Sequence, residues 1–488
     1  MVDPKQPLSL IFEQSRPGSS GVALPECDVP TCDIDAAVPA ALRATELPGL
    51  PEVGELDVVR HYTRLNQRTF SVDTNFYPLG SCTMKYNPKI NERAAALPGL
   101  VNLHPYQDAA DVQGMLELLY QTRRMLEAIS GLAEVSLQPC AGAHGELASL
   151  LVINAYHRDH GGLRSKVLTP DTAHGTNPAS CAVCGRQAVP VKSRPDGSVD
   201  MADLLSKVDE DTAALMLTHP NTVGKFDRHI VEIAKIMHDK GAFLYVDGAN
   251  MNAICGITRP GDLGADIMHF NTHKTFSTPH GGGGPGSGPI AACAALAPYL
   301  PTPQVVRRDD GTYAWDEQRP RSIGRVRSFY GQVGVLVRAF TFLRALGNAG
   351  LREASEMAVL AANYLASRLK DHFNLPYAPP YGHEFILLPE LDAHGVTELD
   401  VSKRLIDYGF HAPTMSWPVH HCLMIEPTET ESKATLDAFA EALLSIQREA
   451  QTEPDTVKQA PWHAAVRRLD EVAAARKPRL RWTPERAG

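Results

Sequence analysis

A chain of 488 residues exceeds what one hydrophobic core usually organises, so two or three domains are expected. With 43% hydrophobic and 21% charged residues, it has the composition of an ordinary soluble globular protein rather than a disordered or fibrous one. The net charge of -9, with no basic cluster interleaved with aromatics, argues against a nucleic-acid surface, and no apolar run reaches the ~20 residues of a membrane-spanning helix. The opening Met1-Val-Asp-Pro-Lys-Gln-Pro7 lacks the apolar core of a secretory signal, so a cytoplasmic location is expected. Nine scattered cysteines do not make a disulfide scaffold in a chain this long. Cys181 and Cys184 form a C-x-x-C with no second pair for zinc, so no metal site is expected, and the pair reads as small residues on a packed helix face, with a redox role as the alternative.

Residues 1–60, rich in Pro, Asp and Glu, read as an N-terminal arm of the kind an interface orders. A large α/β domain is expected over 61–330. It opens with helical spacing between Pro105 and Leu132, carried by Met115, Leu118, Leu119, Met125, Leu126 and Ile129. Strands are predicted at Val135–Leu137, Lys166–Thr169, Ala188–Val191, Ala213–Thr218, Ala242–Val246 and Asp266–Phe270. Helices are predicted from Glu146 to Tyr156 and over 229–239. Strands apolar on both faces and alternating with helices imply a mostly parallel sheet. A smaller α+β domain follows over 331–450. It has helical patterns at Val333–Leu346, 351–370 and 431–448, and strands near Gly382–Leu388 and His420–Glu426. Residues 451–488 read as a charged C-terminal extension.

Ligands of a parallel α/β sheet bind at the carboxyl ends of its strands, so the polar residues there carry the functional reading. Lys274 follows the predicted strand Asp266–Phe270 and precedes a loop with six glycines between 281 and 288. A lysine near a buried strand end is costly unless its charge is used or removed, and an imine with an aldehyde cofactor removes it. Taken alone, Lys274 reads equally well as a surface lysine before a flexible loop. The loop itself fits no P-loop or dinucleotide fingerprint. Asp247, at the end of the neighbouring strand, can pair with a protonated pyridine nitrogen or can simply cap a turn. Gln138-Pro-Cys-Ala-Gly-Ala-His-Gly-Glu146 runs from a strand into a helix, where backbone N–H groups suit a phosphate and a plain turn is the bland reading. His174, in Pro170-Asp-Thr-Ala-His-Gly-Thr-Asn-Pro-Ala-Ser180, lies where an imidazole could stack on a flat cofactor or serve a local structural role.

Together, Gly-Ala-His-Gly-Glu, Ala-His-Gly-Thr-Asn-Pro-Ala, Asp-Gly-Ala-Asn-Met-Asn, His-Lys-Thr-Phe-Ser-Thr-Pro-His-Gly-Gly-Gly-Gly-Pro-Gly and Pro78-Leu-Gly-Ser-Cys-Thr-Met-Lys-Tyr-Asn87 resemble the P-protein family of the glycine cleavage system, the decarboxylating glycine dehydrogenases. The resemblance runs from Leu10-Ile-Phe-Glu to Leu480-Arg-Trp482. It implies fold type I, the pyridoxal 5'-phosphate (PLP)-dependent transferase-like fold, and a length matching the second chain of the split form of the enzyme. The implied activity is decarboxylation of glycine and transfer of its aminomethyl group to the lipoyl arm of an H-protein. The implied partner is a subunit 1 chain, with two copies of each. In this likeness Lys274 bears PLP as a Schiff base, Asp247 pairs with its ring nitrogen, and His174 and Ala249 cover its two faces. Gly142, Ala143, His144 and His273 serve the phosphate, Thr222 the ring hydroxyl, and Ser81, Cys82 and Asn177 the substrate side. Thr272 and Cys140 depart from the commoner family residues without touching the motif core. Another fold-type-I PLP decarboxylase and a catalytically silent scaffold subunit are the competing readings.

Overall fold

The computed structural model describes residues 8–46, 49–104, 107–280 and 286–481. The tract Gly281–Gly284, the first seven residues and Trp482 lie outside the described residues. The chain divides into two units, one of Met1–Ser71 with Ala460–Gly488 and one of Val72–Gln459. In the first, the helix Glu55–Asn66 buries His61, whose Nδ1 lies 3.0 Å from the Gln14 amide. Arg467 lies over the Trp462 ring at 4.9 Å.

The second unit is built on a seven-stranded sheet. Its strands are β1 (Glu134–Ser136), β2 (Lys166–Pro170), β3 (Gln187–Val191), β4 (Thr212–Thr218), β5 (Phe243–Gly248), β6 (Ile267–Phe270) and β7 (Ile290–Ala292). They lie in the order β1-β7-β6-β5-β4-β2-β3. The pairs from β3 through β6 are parallel, and β7 alone runs antiparallel to both neighbours. Successive side chains on a strand face opposite ways, and here both faces are covered. Leu215, Leu217, Leu244 and Val246 join one apolar cluster, while Ala214, Met216, Phe243 and Tyr245 join another. Double-sided burial explains why β4 and β5 read as continuous apolar runs rather than alternating ones. β7 escaped detection because three residues behind a Gly/Pro-rich segment show no periodicity.

A hairpin of β8 (Gln304–Arg307) and β9 (Tyr313–Asp316) follows, then the long helix Val333–Leu369, broken at Gly347 where φ is 60°. A three-stranded antiparallel sheet has the order β10-β12-β11, from β10 (Phe385–Leu387), β11 (Thr414–Met415) and β12 (Leu423–Ile425). It packs a core with Leu365, Leu369, Phe439 and Leu443 from the helices Val333–Leu369 and Lys433–Thr452. The segment after Tyr77 runs along β12, with Leu79 bridging Ile425 and the Gly80 N–H donating to the Met424 carbonyl at 3.2 Å. Among the described residues no helix is long and apolar enough to cross a membrane.

Candidate active site

The expected cofactor residues lie at or just beyond the carboxyl ends of the strands of the large sheet. Gly142 begins the helix after β1, His174 follows β2, Thr222 follows β4, Asp247 closes β5 with Ala249 just beyond, and Lys274 sits in the helical turn Thr272–Thr275 after β6. In the β5–β6 register Asp247 lies opposite His269. Gly248 permits this approach, since a Cβ there would strike the His269 carbonyl oxygen.

Asp247 is 2% exposed, and burial alone would push its carboxyl upward. The opposing groups prevail and hold it below its ordinary range. The Ala249 N–H donates to Oδ1 at 2.9 Å, the Asn177 amide donates to Oδ2 at 3.3 Å, His269 Nε2 lies 3.4 Å from Oδ1, and the Lys274 charge adds its pull. His269 is itself driven toward the neutral form by burial. The Tyr245 hydroxyl hydrogen-bonds its Nδ1, and burial holds that phenol far above its usual pKa, so the phenol is neutral. The imidazole Nε2 lies between Asp247 Oδ1 at 3.4 Å and the Asn271 amide nitrogen at 3.2 Å.

Lys274 donates from Nζ to the Ser81 carbonyl at 2.7 Å. Ser81 and Thr83 both hold left-handed backbone, with φ of 63° and 44°, an unfavourable geometry for residues with side chains. The Cys82 thiol between them is pushed up by burial, against the lowering influence of Lys274. His273 packs against the Ser287 backbone at 3.2 Å and is pushed down to about 3, chiefly by burial, so it is a neutral ring.

The helix Gly142–Asp159 starts from Ala141 in extended conformation with no side-chain cap. Its first turn, Gly142-Ala143-His144, is therefore uncapped by any side chain, the arrangement that favours an anion. The His144 ring turns back to accept the Cys140 N–H at 3.2 Å. The Thr222 hydroxyl donates to the Thr172 carbonyl. His174 is exposed, edge-on to Trp417 at 5.4 Å, with Nδ1 2.8 Å from Thr176 Oγ1.

Several site residues escaped the sequence reading. Thr176 Oγ1 donates to Glu146 Oε1 at 2.6 Å and Ser180 Oγ to Oε2 at 3.1 Å. Burial and the Asp247 charge nevertheless push Glu146 up to about 7. Its signal was its place in Gly-Ala-His-Gly-Glu, one turn beyond Gly142 on a helix that packs on the sheet. Tyr245 and His269 looked like filler within apolar strands. His383, Glu384 and Glu426, all fully buried, flank β10 and β12, where polar residues bounding an apolar run are the only hint.

The donor set suits a phosphorylated pyridine aldehyde: an amine, a buried anion for a ring N–H, an imidazole and an uncapped helix start. The fold matches the crystal structure of glycine decarboxylase (P-protein) of the glycine cleavage system, in inhibitor-bound form, with a TM-score of 0.72 and 21% identity over 84% of this chain and 93% of that one. It also matches the sphingosine-1-phosphate lyase of Burkholderia pseudomallei, with a TM-score of 0.62 and 16% identity over 86% and 96% of the two chains. The architecture is that of the fold-type-I, PLP-dependent enzymes. Two family profiles match: the glycine cleavage system P-protein over residues 33–312 and the glycine dehydrogenase C-terminal domain over residues 354–467. The chain is 55% identical to the probable glycine dehydrogenase (decarboxylating) subunit 2 of Chlorobium chlorochromatii, over 97% of this chain and 98% of that one. It is 54% identical to the protein of the same name from Halalkalibacterium halodurans, again over 97% and 98%. The chain belongs to the glycine cleavage system P-protein family.

Proposed function

We propose that this chain is the PLP-bearing half of a split glycine decarboxylase. It would work in the cytoplasm with a subunit 1 chain, two copies of each, and pass the aminomethyl group of glycine to a lipoylated H-protein. Nine unbridged cysteines suit a reducing compartment. The observation that carries the reading is the pairing of the Lys274 amine and the anionic Asp247 at the ends of adjacent parallel strands.

Lys274 would hold the cofactor covalently through Nζ, with the Ser81 carbonyl orienting the amine. Asp247 would take the ring N–H, and its partners keep it ionised for that task. The uncapped N–H groups of Gly142, Ala143 and His144 would receive the phosphate, with His273 beside them as a neutral ring. His174 and Ala249 would cover the ring faces, and Thr222 would turn its hydroxyl to the ring oxygen. Ser81 and Cys82, flanking the amine, would line the substrate side. Asn177 would serve it through Asp247, where its amide is engaged. When bound, PLP supplies an electron sink for the pair left behind as carbon dioxide departs. The protein's share is positioning and a preorganised field.

Borohydride reduction of the cofactor-loaded protein, followed by peptide mapping, should place the label on Lys274. Lys274→Ala should lose both that label and glycine–bicarbonate exchange, assayed with and without the subunit 1 chain. A label on any other residue would refute the assignment. Turnover of a larger amino acid in preference to glycine would favour another decarboxylase of this fold.

A further inference from the structure

Ser81 is held from two directions. Its carbonyl receives Lys274 Nζ at 2.7 Å, and its N–H donates to Glu384 Oε2 at 2.7 Å. Two residues on, the Thr83 N–H donates to Glu426 Oε2 at 2.9 Å. Glu384, Glu426 and the adjoining His383 are each 0% exposed, and one ligand-type atom from each lies within 4.8 Å of the others. The second oxygen of Glu384 accepts from the Asn250 amide at 3.2 Å. Glu426 Oε1 and both ring nitrogens of His383 have no hydrogen-bond partner. The Oε1–Nε2 separation of 3.7 Å is too long to be one.

The charged and titratable groups around this cluster are Lys274, Lys85, Cys82 and Glu429. Neither lysine is available to it. Lys274 is directed at Ser81, and Lys85 is spent on Glu429 at 2.6 Å, the Thr275 carbonyl at 2.7 Å and Asn252 at 3.1 Å. Two carboxylates this close, buried and without a hydrogen-bonded cation, do not both ionise near neutrality.

We propose that His383, Glu384 and Glu426 form a proton-binding site that holds at least one proton between the two carboxyls at neutral pH. The protonated pair then clamps the strained Ser81–Thr83 backbone against which the Lys274 amine is set. Burial, reinforced by Glu426, raises Glu384 well above the ordinary carboxyl range, and burial raises Glu426 to about 7. Glu384 is thus a positioning residue that acts on Lys274 through Ser81. Its importance for catalysis rests on the function proposed above; the proton site itself does not.

Infrared difference spectroscopy of the full chain tests this directly. The wild type at neutral pH should show the carbonyl stretch of a buried carboxylic acid. That band should shift in heavy water, persist in the Glu146→Gln, Glu431→Gln background, which removes two other raised carboxyls, and vanish when Glu384→Gln and Glu426→Gln are added. Persistence or loss of the band in the Glu146→Gln, Glu431→Gln background decides the point even if the variant lacking all four carboxyls fails to fold. No protonated carboxyl band, or one stoichiometric divalent cation per chain by elemental analysis, would overturn the proposal. Amide exchange tests the clamp. Ser81 and Thr83 should exchange roughly tenfold faster in Glu384→Ala, while Glu384→Gln, which keeps an acceptor oxygen, preserves their protection. Equal exchange in the two variants would remove the clamp. A missing borohydride label at Lys274 would sink the functional reading and leave the infrared band untouched.

Discussion

Asp247 and Glu384 are both buried and both feel the Lys274 charge, and they are treated in opposite ways. Asp247, on the large sheet, receives a backbone N–H, an amide and the Nε2 edge of an imidazole, and together with the Lys274 charge these outweigh the cost of burial. Glu384, beside β10, also receives a backbone N–H and an amide, but its nearest charged partner is a second carboxylate. The difference lies in the third group. An imidazole keeps one carboxyl an anion, and a like charge drives the other to hold a proton. The same side-chain chemistry thus yields a fixed negative charge on one side of the lysine and a protonated hydrogen-bonding clamp on the other.

The comparison breaks most visibly at Asp247. Asp247→Asn keeps the shape and removes the anion. Glycine–bicarbonate exchange by the cofactor-loaded protein with its partner should fall by about 10²–10³-fold, the scale of losing one preorganised electrostatic group. A rate within a factor of two of wild type would show that the charge at this strand end is not used.

Glu146 sharpens the contrast, because it lies on the Asp247 side yet behaves like Glu384. Its carboxyl titrates near 7 in the fold, raised first by burial and then by Asp247, against about 4.3 in an unfolded chain. A raised carboxyl stabilises the fold fully below its unfolded pKa and loses that contribution as pH climbs through the folded value. Wild-type stability should therefore decline between about pH 4.5 and 7 by up to about 3 kcal/mol from this group. Glu146→Gln, which cannot ionise, should lack that decline. Urea unfolding at pH 5 and pH 8 compares the two, and parallel trends would mean that Glu146 is ionised throughout. Asp247 works the other way: its lowered carboxyl contributes stability above its unfolded pKa, and that is lost only as pH falls through the folded value.

What the sequence disclosed follows from this geometry. β4, β5 and β6 were legible because burial on both faces writes itself as an unbroken apolar run, and their carboxyl ends pointed to Asp247 and Lys274. The Gly142 helix start was legible as a strand-to-helix turn. The partners that tune these groups were not. Ser81 meets Lys274 across 193 positions and Glu384 across 303, and no local pattern encodes such a meeting. Tyr245 and His269 were hidden for a different reason: a polar tip on a strand residue inside a packed core resembles ordinary filler until its partner is seen. β7 and β11 are too short to carry a period.

The smallest expected effect tests how Asp247 is kept ionised. Tyr245→Phe removes one hydroxyl from a fully buried ring and leaves His269 Nδ1 without its hydrogen-bond partner. An unpaired buried polar group costs about 1–3 kcal/mol, so the variant should fold with somewhat reduced stability. The imidazole would then lose the contact that fixes its ring beside Asp247 Oδ1. With that support gone, burial gains on the remaining partners and the Asp247 carboxyl rises. The acid limb of the exchange–pH profile should consequently move to higher pH, while the plateau rate changes by less than about tenfold. Tyr245→Phe with lowered stability but an unmoved acid limb would mean that the phenol serves packing alone, and that the Ala249 N–H and Asn177 hold the charge without help from the imidazole.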